Sequence, residues 1–313
     1  MARILYIDCT RGLASDMMVA SLADRFKDRE GVLRELQDNI NNNMTLTLDS
    51  AKSYEREGLI FKAKDNSYGV HSSREQNRRH NCGSDGGHSC EHDHGDCCGD
   101  GGEHHYGDSC GDDGGHNNGH SSECDSGYHC GQHEHSTLDD VYEFIKNTAF
   151  SDTVKNSAKG VYRLIAEAEA EVHGGSADTV HFHEVGQKRA IACIVCACAL
   201  IEASGAERIV FSPINTGYGK VVCAHGEVDV PAPATKILLR GIPSFCESGL
   251  AGELCTPTGV ALAKYFATDF VCDKVGFETL ISEKDNISGI GLGSRDIGRA
   301  NGVISLLTDG FPE

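Results

Sequence analysis

Hydrophobic and polar positions in the first part of this chain predict a strand followed by a helix. Residues 3–8 form a β-rich run, and Ser15 and Asp16 then offer an N-cap and an acidic first turn for a helix to about residue 26. A strand that leads into a helix indicates an α/β unit, and open α/β sheets usually build their sites at the carboxyl ends of strands. Asp8 and Asp16 are therefore candidate functional residues. The alternative is that Asp8 merely ends a strand and Asp16 merely caps a helix.

The second half of the chain carries further helical and β-like patterns. Ser151 precedes a run in which apolar residues recur at three- and four-residue spacing up to Gly174, which predicts a long amphipathic helix. Other helices are predicted over residues 137–145, 191–201, 231–239 and 256–266, and β-like runs over 208–211, 220–223, 227–230 and 302–307. The glycine-rich stretch 289–293 predicts a plain loop. The fold class that follows is mixed α/β, a mixed sheet with flanking helices, in a strand order that the pattern does not give.

These patterns break off between residues 80 and 135. This segment contains no Ala, Val, Ile, Leu, Met, Phe, Trp or Pro, and 14 of its 56 residues are Gly. It cannot offset the entropy lost on ordering by burying apolar surface. We therefore predict a long disordered insertion, rich in His, Cys, Asp and Gly. The insertion divides an α/β domain into a first part, residues 1–79, and a remainder, residues 136–313.

Charge and composition exclude some classes of partner. The formal net charge is −19, and residues 80–135 contribute 12 acidic side chains and no Lys or Arg. Because the chain lacks clustered Lys and Arg that could neutralise a phosphate backbone, we expect no nucleic-acid partner. The longest apolar run, residues 190–201, is shorter than the roughly 20 residues that span a bilayer, so we expect a cytoplasmic protein without a membrane span. Its 15 cysteines are then expected to be reduced.

The predicted insertion is also the strongest compositional signal for metal binding. It combines 11 histidines and seven cysteines with its 12 carboxylates. Such ligands suit nickel, zinc or copper, and we interpret the segment as a reservoir for several ions. The alternative is a solvated linker with no role. The candidate ligands in its densest clusters are His92, His94, His104, His105, His133 and His135.

A shorter candidate metal site lies outside the insertion. Alternate side chains of an extended segment share a face, so His181 and His183 could hold one cation, and Glu184 could join them if the chain turns after it. The alternative is that both are core or interface histidines. His225, between two β-like runs, could either reach a site or stabilise a turn. The thiols of Cys193, Cys196 and Cys198 are interpreted as small hydrophobic groups on a buried helix.

Seven motifs in this chain resemble, in the same order, those of the LarC-type nickel insertion proteins. They are IDCTRGLASDM at 7–17, AEAEAEVH at 166–173, HFHEVG at 181–186, CAHG at 223–226, VPAPAT at 230–235, GELCTPTG at 252–259 and GLGSRD at 291–296. The resemblance covers nearly the whole chain outside the insertion, and the family carries a His-rich insertion at the corresponding place.

This resemblance implies a cytoplasmic nickel chelatase, or cyclometallase, which is a lyase. The family uses CTP with Mg²⁺ or Mn²⁺ to insert nickel into pyridinium-3,5-bisthiocarboxylic acid mononucleotide, the pincer nucleotide cofactor of lactate racemase. The implied partner is therefore the pincer nucleotide precursor. By this resemblance Asp8, Asp16 and Glu184 become candidate catalytic residues, and His181, His183 and His225 candidate nickel ligands, with the insertion as a delivery store.

The chain also departs from the family's usual pattern. Ser15 replaces a usual glycine, the stretch after Gly186 reads QKRA instead of an Ala-Val-Asp-Ser pattern, and Cys193 stands where a further Asp is usual. Two carboxylates are lost and positive charge is gained, which repels a metal ion but suits a nucleotide phosphate.

The sequence is consistent with two hypotheses about the function. Full-length relatives continue beyond the position of Glu313 into a domain linked to CTP binding. We therefore expect nickel insertion together with a separate C-terminal LarC-type chain. The alternative is a non-catalytic nickel metallochaperone or storage protein. The oligomeric state stays open, with a homo-oligomer as one option.

Overall fold

The structure is a computed structural model, and it describes residues 2–41, 43–67, 136–223, 226–247, 249–271 and 287–309. The predicted insertion, residues 80–135, lies outside these ranges. Its disorder and the domain boundaries drawn around it therefore stay predictions.

The described residues form helices and strands in a mixed order. The helices are α1 (Ser15–Asp24), α2 (Arg29–Asn39), α3 (Leu138–Lys146), α4 (Asp152–His173), α5 (Lys188–Ser204), α6 (Pro233–Leu238) and α7 (Pro257–Phe266). The strands are β1 (Arg3–Arg11), β2 (Met44–Ser53), β3 (Arg56–Asp65), β4 (Ser136–Thr137), β5 (His181–Phe182), β6 (Arg208–Phe211), β7 (Ile214–Asn215), β8 (Gly217–Tyr218), β9 (Lys220–Cys223), β10 (Gly226–Asp229), β11 (Ser244–Phe245), β12 (Gly252–Glu253), β13 (Asp269–Phe270), β14 (Ile287–Leu292) and β15 (Gly302–Asp309).

A seven-stranded sheet organises these elements, in the spatial order β13-β6-β1-β15-β14-β3-β2. The strand β1 pairs parallel with β6 and antiparallel with β15, whereas β14 pairs antiparallel with β15 and parallel with β3. The long strands β2 and β3 form an antiparallel hairpin at one edge. The predicted fold class, mixed α/β with flanking helices, is confirmed.

The core follows from the alternation of side chains along β1. Leu5 and Ile7 belong to the main hydrophobic core, in which helices α1 and α5 are also buried, whereas Ile4 and Tyr6 contact a smaller cluster. All four side chains are almost fully buried, so both faces of this strand are covered. Burial of each such side chain contributes about 1.5–3 kcal/mol to stability, which makes β1 the centre of the fold.

Helix α1 packs directly on the backbone of β14. A side chain at Gly291 would overlap the carbonyl oxygen of Met17, and one at Gly289 would overlap that of Ser21. The glycine-rich stretch was predicted to be a loop, and that prediction is wrong. Glycine here permits the close approach of a helix to a strand rather than a turn.

Most of the predicted helix ends are confirmed by their caps. Thr137 and Asp140 form a reciprocal capping box at the start of α3. Ser151 accepts a hydrogen bond from the backbone of α4, and Gly174 ends that helix in the left-handed conformation, with φ +72°. Three elements in the first part of the chain, α2, β2 and β3, were not predicted.

No helix in the described ranges is long and apolar enough to cross a membrane.

Candidate functional site

A cleft of about 590 Å³ opens at the amino-terminal ends of α1, α5 and α7. It brings together four of the predicted site residues: Asp16, His181, His183 and Glu184. The other polar and charged side chains along it are Ser15, Lys62, Glu169, His173, Arg189, Cys193, Glu253, Thr256, Thr258 and Arg295. The cleft therefore combines imidazole, carboxylate and guanidinium groups in one volume.

The two candidate histidines reach the cleft from a very short strand. His181 and Phe182 form β5, which pairs with β4 so that His181 lies opposite Thr137. Phe182 is buried in the core, whereas His181 is exposed and His183 is half-buried. The predicted alternation is confirmed, since the two imidazoles share the cleft and the phenyl ring between them does not.

A turn brings Glu184 to the same cleft. In a continued strand its side chain would point away from the histidines. Instead Glu184 begins a 3-10 turn that ends at Gly186. A side chain on Gly186 would collide with Phe182 and Ser136, so this tight turn requires glycine. The condition under which Glu184 was predicted to join the histidines is met.

The start of α1 supplies a second carboxylate. The N-cap of α1 is Ala14, so the prediction that Ser15 caps this helix is wrong; the Ser15 hydroxyl instead donates a hydrogen bond to Thr258 Oγ1, 3.1 Å away. Asp16 lies in the first turn, as predicted, where the backbone N–H groups of Asp16 and Met17 favour its charged form. Burial raises the pKa of the Asp16 carboxyl, and the nearby charge of Arg189 opposes the rise.

The first turns of α5 bring a cation and a thiol close to Asp16. Arg189 is exposed, and Cys193, one turn further along, is buried. Burial raises the pKa of the Cys193 thiol, and the charge of Asp16 adds to the rise. Arg189 and a hydrogen bond with Ser15 oppose it. Three of the positions where the chain departs from the family's usual pattern, Ser15, Arg189 and Cys193, thus lie around one carboxylate.

A further carboxylate, that of Glu253, lies along the cleft near Glu184. Burial raises the pKa of Glu253, the negative charge of Glu184 adds to the rise, and Arg295 opposes it. Arg295 Nη1 lies 3.9 Å from Glu253 Oε2 and donates a hydrogen bond to the Glu253 carbonyl oxygen at 3.4 Å. The guanidinium of Arg295 is therefore already paired with a carboxylate.

The rest of the cleft lining is largely apolar. Val221 and Val222 from β9 and Val228 from β10 contribute to it, together with Pro233 and Phe61. Val222 is 81% exposed, which is high for so apolar a side chain. One ligand could thus contact apolar surface and ionisable groups at the same time.

Asp8 is not among the described residues that line the cleft. It is buried within β1, which continues to Arg11, so it does not end the strand as predicted. Its Oδ1 atom accepts hydrogen bonds from the Thr10 N–H at 2.8 Å and the Ser212 hydroxyl at 3.3 Å. These contacts stabilise the irregular register of β1 between Asp8 and Arg11.

Several predicted metal ligands lie outside the described residues. His225 is one of them, although the strands on either side of it, β9 and β10, are described. The others are the insertion histidines His92, His94, His104, His105, His133 and His135. Within the part of the chain that the structure describes, no group of three or more His, Cys, Asp or Glu side chains is arranged to hold a metal ion.

Sequence reasoning missed several residues that line the cleft, notably Glu169, His173, Glu253, Thr258 and Arg295. All five lie within motifs quoted above, at 166–173, 252–259 and 291–296. Together with 7–17, 181–186 and 230–235, six of the seven motifs contribute side chains to one cleft. Membership in a motif was therefore the signal that could have identified these residues.

The chain is similar to known proteins along most of its length. Residues 5–310 match the profile of a family described as nickel insertion protein. Pyridinium-3,5-bisthiocarboxylic acid mononucleotide nickel insertion proteins of Staphylococcus epidermidis, Clostridium kluyveri and Geobacillus kaustophilus are 39%, 40% and 36% identical over 136, 161 and 169 residues. These alignments cover 44%, 51% and 54% of this chain but only 34%, 38% and 39% of the relatives. No solved structure gives a significant match.

Proposed function

The chain belongs to the nickel insertion protein family, and from that premise we propose that it inserts nickel into pyridinium-3,5-bisthiocarboxylic acid mononucleotide, the pincer nucleotide cofactor of lactate racemase. Nickel is a substrate of this reaction, and the mononucleotide is the acceptor. The curated relatives carry this acceptor in their names. Because the alignments span little more than a third of those relatives, the whole reaction is proposed for this chain and not transferred to it.

The observation that carries the proposal is the convergence of the motifs on one cleft. Segments that begin near residue 7 and end near residue 296 contribute side chains to a single volume of about 590 Å³. Those side chains include two imidazoles and several carboxylates, which are suitable ligands for nickel. The same volume includes apolar side chains, against which an organic ring could pack.

We assign nickel delivery to His181 and His183, with Glu184 beside them. Nitrogen and oxygen donors hold nickel less strongly than the two thiocarboxylates of the acceptor, so the metal would move from the protein to the sulfur atoms. Cyclometallation also replaces a ring C–H bond by a nickel–carbon bond and releases a proton. A carboxylate whose pKa is raised by burial accepts a proton more readily, which makes Asp16 the preferred acceptor in this proposal.

Three parts of the proposal come from the family resemblance alone. They are the use of CTP with Mg²⁺ or Mn²⁺, a separate C-terminal LarC-type chain, and a cytoplasmic location. We assign no described residue to CTP and derive no step through it.

The proposal is tested by an insertion assay with purified components. The chain, nickel, the acceptor, CTP, Mg²⁺ and a C-terminal LarC-type chain are combined, and activation of metal-free lactate racemase is measured. His181→Ala with His183→Ala is expected to lower the rate at least tenfold, since even partners of metal ligands typically contribute that much. The comparison variant is His173→Ala, whose imidazole also lines the cleft but lies 3.7 Å from Glu169 Oε2. An equal loss in both variants would contradict the assignment.

A nickel metallochaperone or store is the second candidate, because 11 histidines and seven cysteines are concentrated in residues 80–135. A wild-type chain that binds nickel but never activates the racemase under these conditions would favour it.

A further inference from the structure

Arg189 differs from the other strongly basic residues of the cleft in its contacts. Lys62 Nζ lies 3.6 Å from Asp49 Oδ2, and Arg295 lies beside Glu253. Arg189 forms neither a hydrogen bond nor an ion pair with any described residue, although it lines the same volume. Its guanidinium is therefore available to a ligand.

The surroundings of Arg189 increase its attraction for an anion. It lies in the first turn of α5, which contains no acidic residue and has no side-chain cap at Gln187. The amino-terminal end of a helix carries partial positive charge, so a cation placed there is unfavourable until an anion neutralises it. The neighbouring Lys188 carries the same charge, but its ammonium group is held by Asp65 at 3.2 Å and by the Ser67 hydroxyl at 3.0 Å.

Asp16 does not form an ion pair with Arg189. The two side chains influence each other electrostatically, yet they are not within ion-pair distance. The Asp16 carboxylate instead lies near backbone N–H groups of its own helix, which favour its charged form. A ligand that contacts Arg189 would consequently lie close to the carboxylate assigned above to proton transfer.

We propose that Arg189 binds the phosphate monoester of a pyridinium mononucleotide and so sets the orientation of the acceptor in the cleft. This inference rests on the proposed function. The two thiocarboxylates of the acceptor must be free to take nickel, so the phosphate is the anionic group that remains for a fixed contact. A guanidinium forms two parallel hydrogen bonds with phosphate, which holds both position and orientation. The apolar side chains of β9 and β10 then lie within the same cleft for the ring.

The test uses calorimetric titration of the full chain with nicotinic acid mononucleotide, a pyridinium ring with one carboxylate and a ribose phosphate. Nicotinic acid riboside, which lacks only the phosphate, is the second probe. Wild type is expected to bind the mononucleotide at least tenfold more tightly than the riboside. Arg189→Gln should weaken mononucleotide binding about tenfold to a hundredfold and leave riboside binding unchanged, so that the preference disappears.

Lys188→Gln is the matched control, because it removes the same charge from the same helical turn without removing a cleft-lining group. It should change mononucleotide binding less than threefold. Arg189→Lys keeps the charge but not the paired hydrogen bonds, and should recover only part of the affinity. Since Arg189 is exposed and forms no hydrogen bond or ion pair with a described residue, its variants should melt close to the wild-type temperature.

Three outcomes would overturn the inference: wild-type mononucleotide affinity in Arg189→Gln, equal binding of the two probes by wild type, or no binding of the mononucleotide. Titration with nickel alone separates this failure from failure of the proposed function. Arg189→Gln should bind nickel as wild type does, because Arg189 is assigned to the phosphate and not to the metal. A change in nickel binding confined to His181→Ala with His183→Ala would therefore bear on the proposed function alone.

Discussion

At the scale of single residues, burial and hydrogen bonding shift the pKa values of two carboxyl groups of this protein in opposite directions. Burial raises the pKa of Asp16, so the folded protein disfavours its charged form. Hydrogen bonds from Thr137 lower the pKa of Asp140 in the capping box of α3, so the folded protein favours that charged form. A carboxylate whose charged form is disfavoured by the fold is typical of a functional site.

Asp16→Asn should therefore raise the melting temperature at pH 7, measured with a chelator present. Because the folded pKa is raised, ionised Asp16 costs stability at neutral pH. This loss of stability disappears as the pH falls through the raised pKa of the folded state towards the pKa of the unfolded state, about 3.9. The difference in melting temperature between Asp16→Asn and wild type should decrease over this pH range.

Asp140→Asn is the control with the opposite sign. Its lowered folded pKa contributes stability that is present above about pH 3.9 and is lost as the pH falls through the lowered value. This variant should melt below wild type at pH 7. A lower melting temperature for Asp16→Asn at neutral pH would show that Asp16 supports the fold instead.

At the scale of elements, local signals predicted the helices well and the glycine-rich strand badly. Caps such as Thr137 and Ser151 and the stop at Gly174 act within one turn, so the sequence around them contains the whole signal. Glycine is required at position 291 in β14 because α1 packs against it. Since α1 is far away in the sequence, the residues around Gly291 do not reveal this requirement. The hairpin β2–β3 does have a local signal, because buried Met44 and Leu46 alternate with exposed Thr45, although no strand was predicted there.

Gly291→Ala should destabilise the protein by about 1–3 kcal/mol, because the added methyl group would force α1 away from β14. The free energy of unfolding is measured with urea. Gly175→Ala is the matched control, since a side chain there meets nothing within 4 Å and no left-handed backbone is required; it should stay within about 0.5 kcal/mol of wild type. Similar values for both variants would mean that α1 tolerates displacement.

At the scale of the whole molecule, the candidate site is an assembly of distant segments. The group His181, His183 and Glu184 could be predicted because all three belong to one short motif. Glu253 and Arg295 reach the same cleft only through the packing of the complete fold, so spacing along the chain could not reveal them. The same packing keeps Asp8 out of the cleft, although its position after a β-rich run suggested a site.

We propose that the folded cleft itself binds nickel, independently of residues 80–135. Calorimetric nickel titration tests this with three chains. They are the intact chain, a chain lacking those residues, and the shortened chain with His181→Ala and His183→Ala. We expect the shortened chain to bind a single nickel ion tightly and the double substitution to abolish this binding. If all nickel binding disappears with residues 80–135, the chain is a nickel store and the assignment of His181 and His183 is wrong.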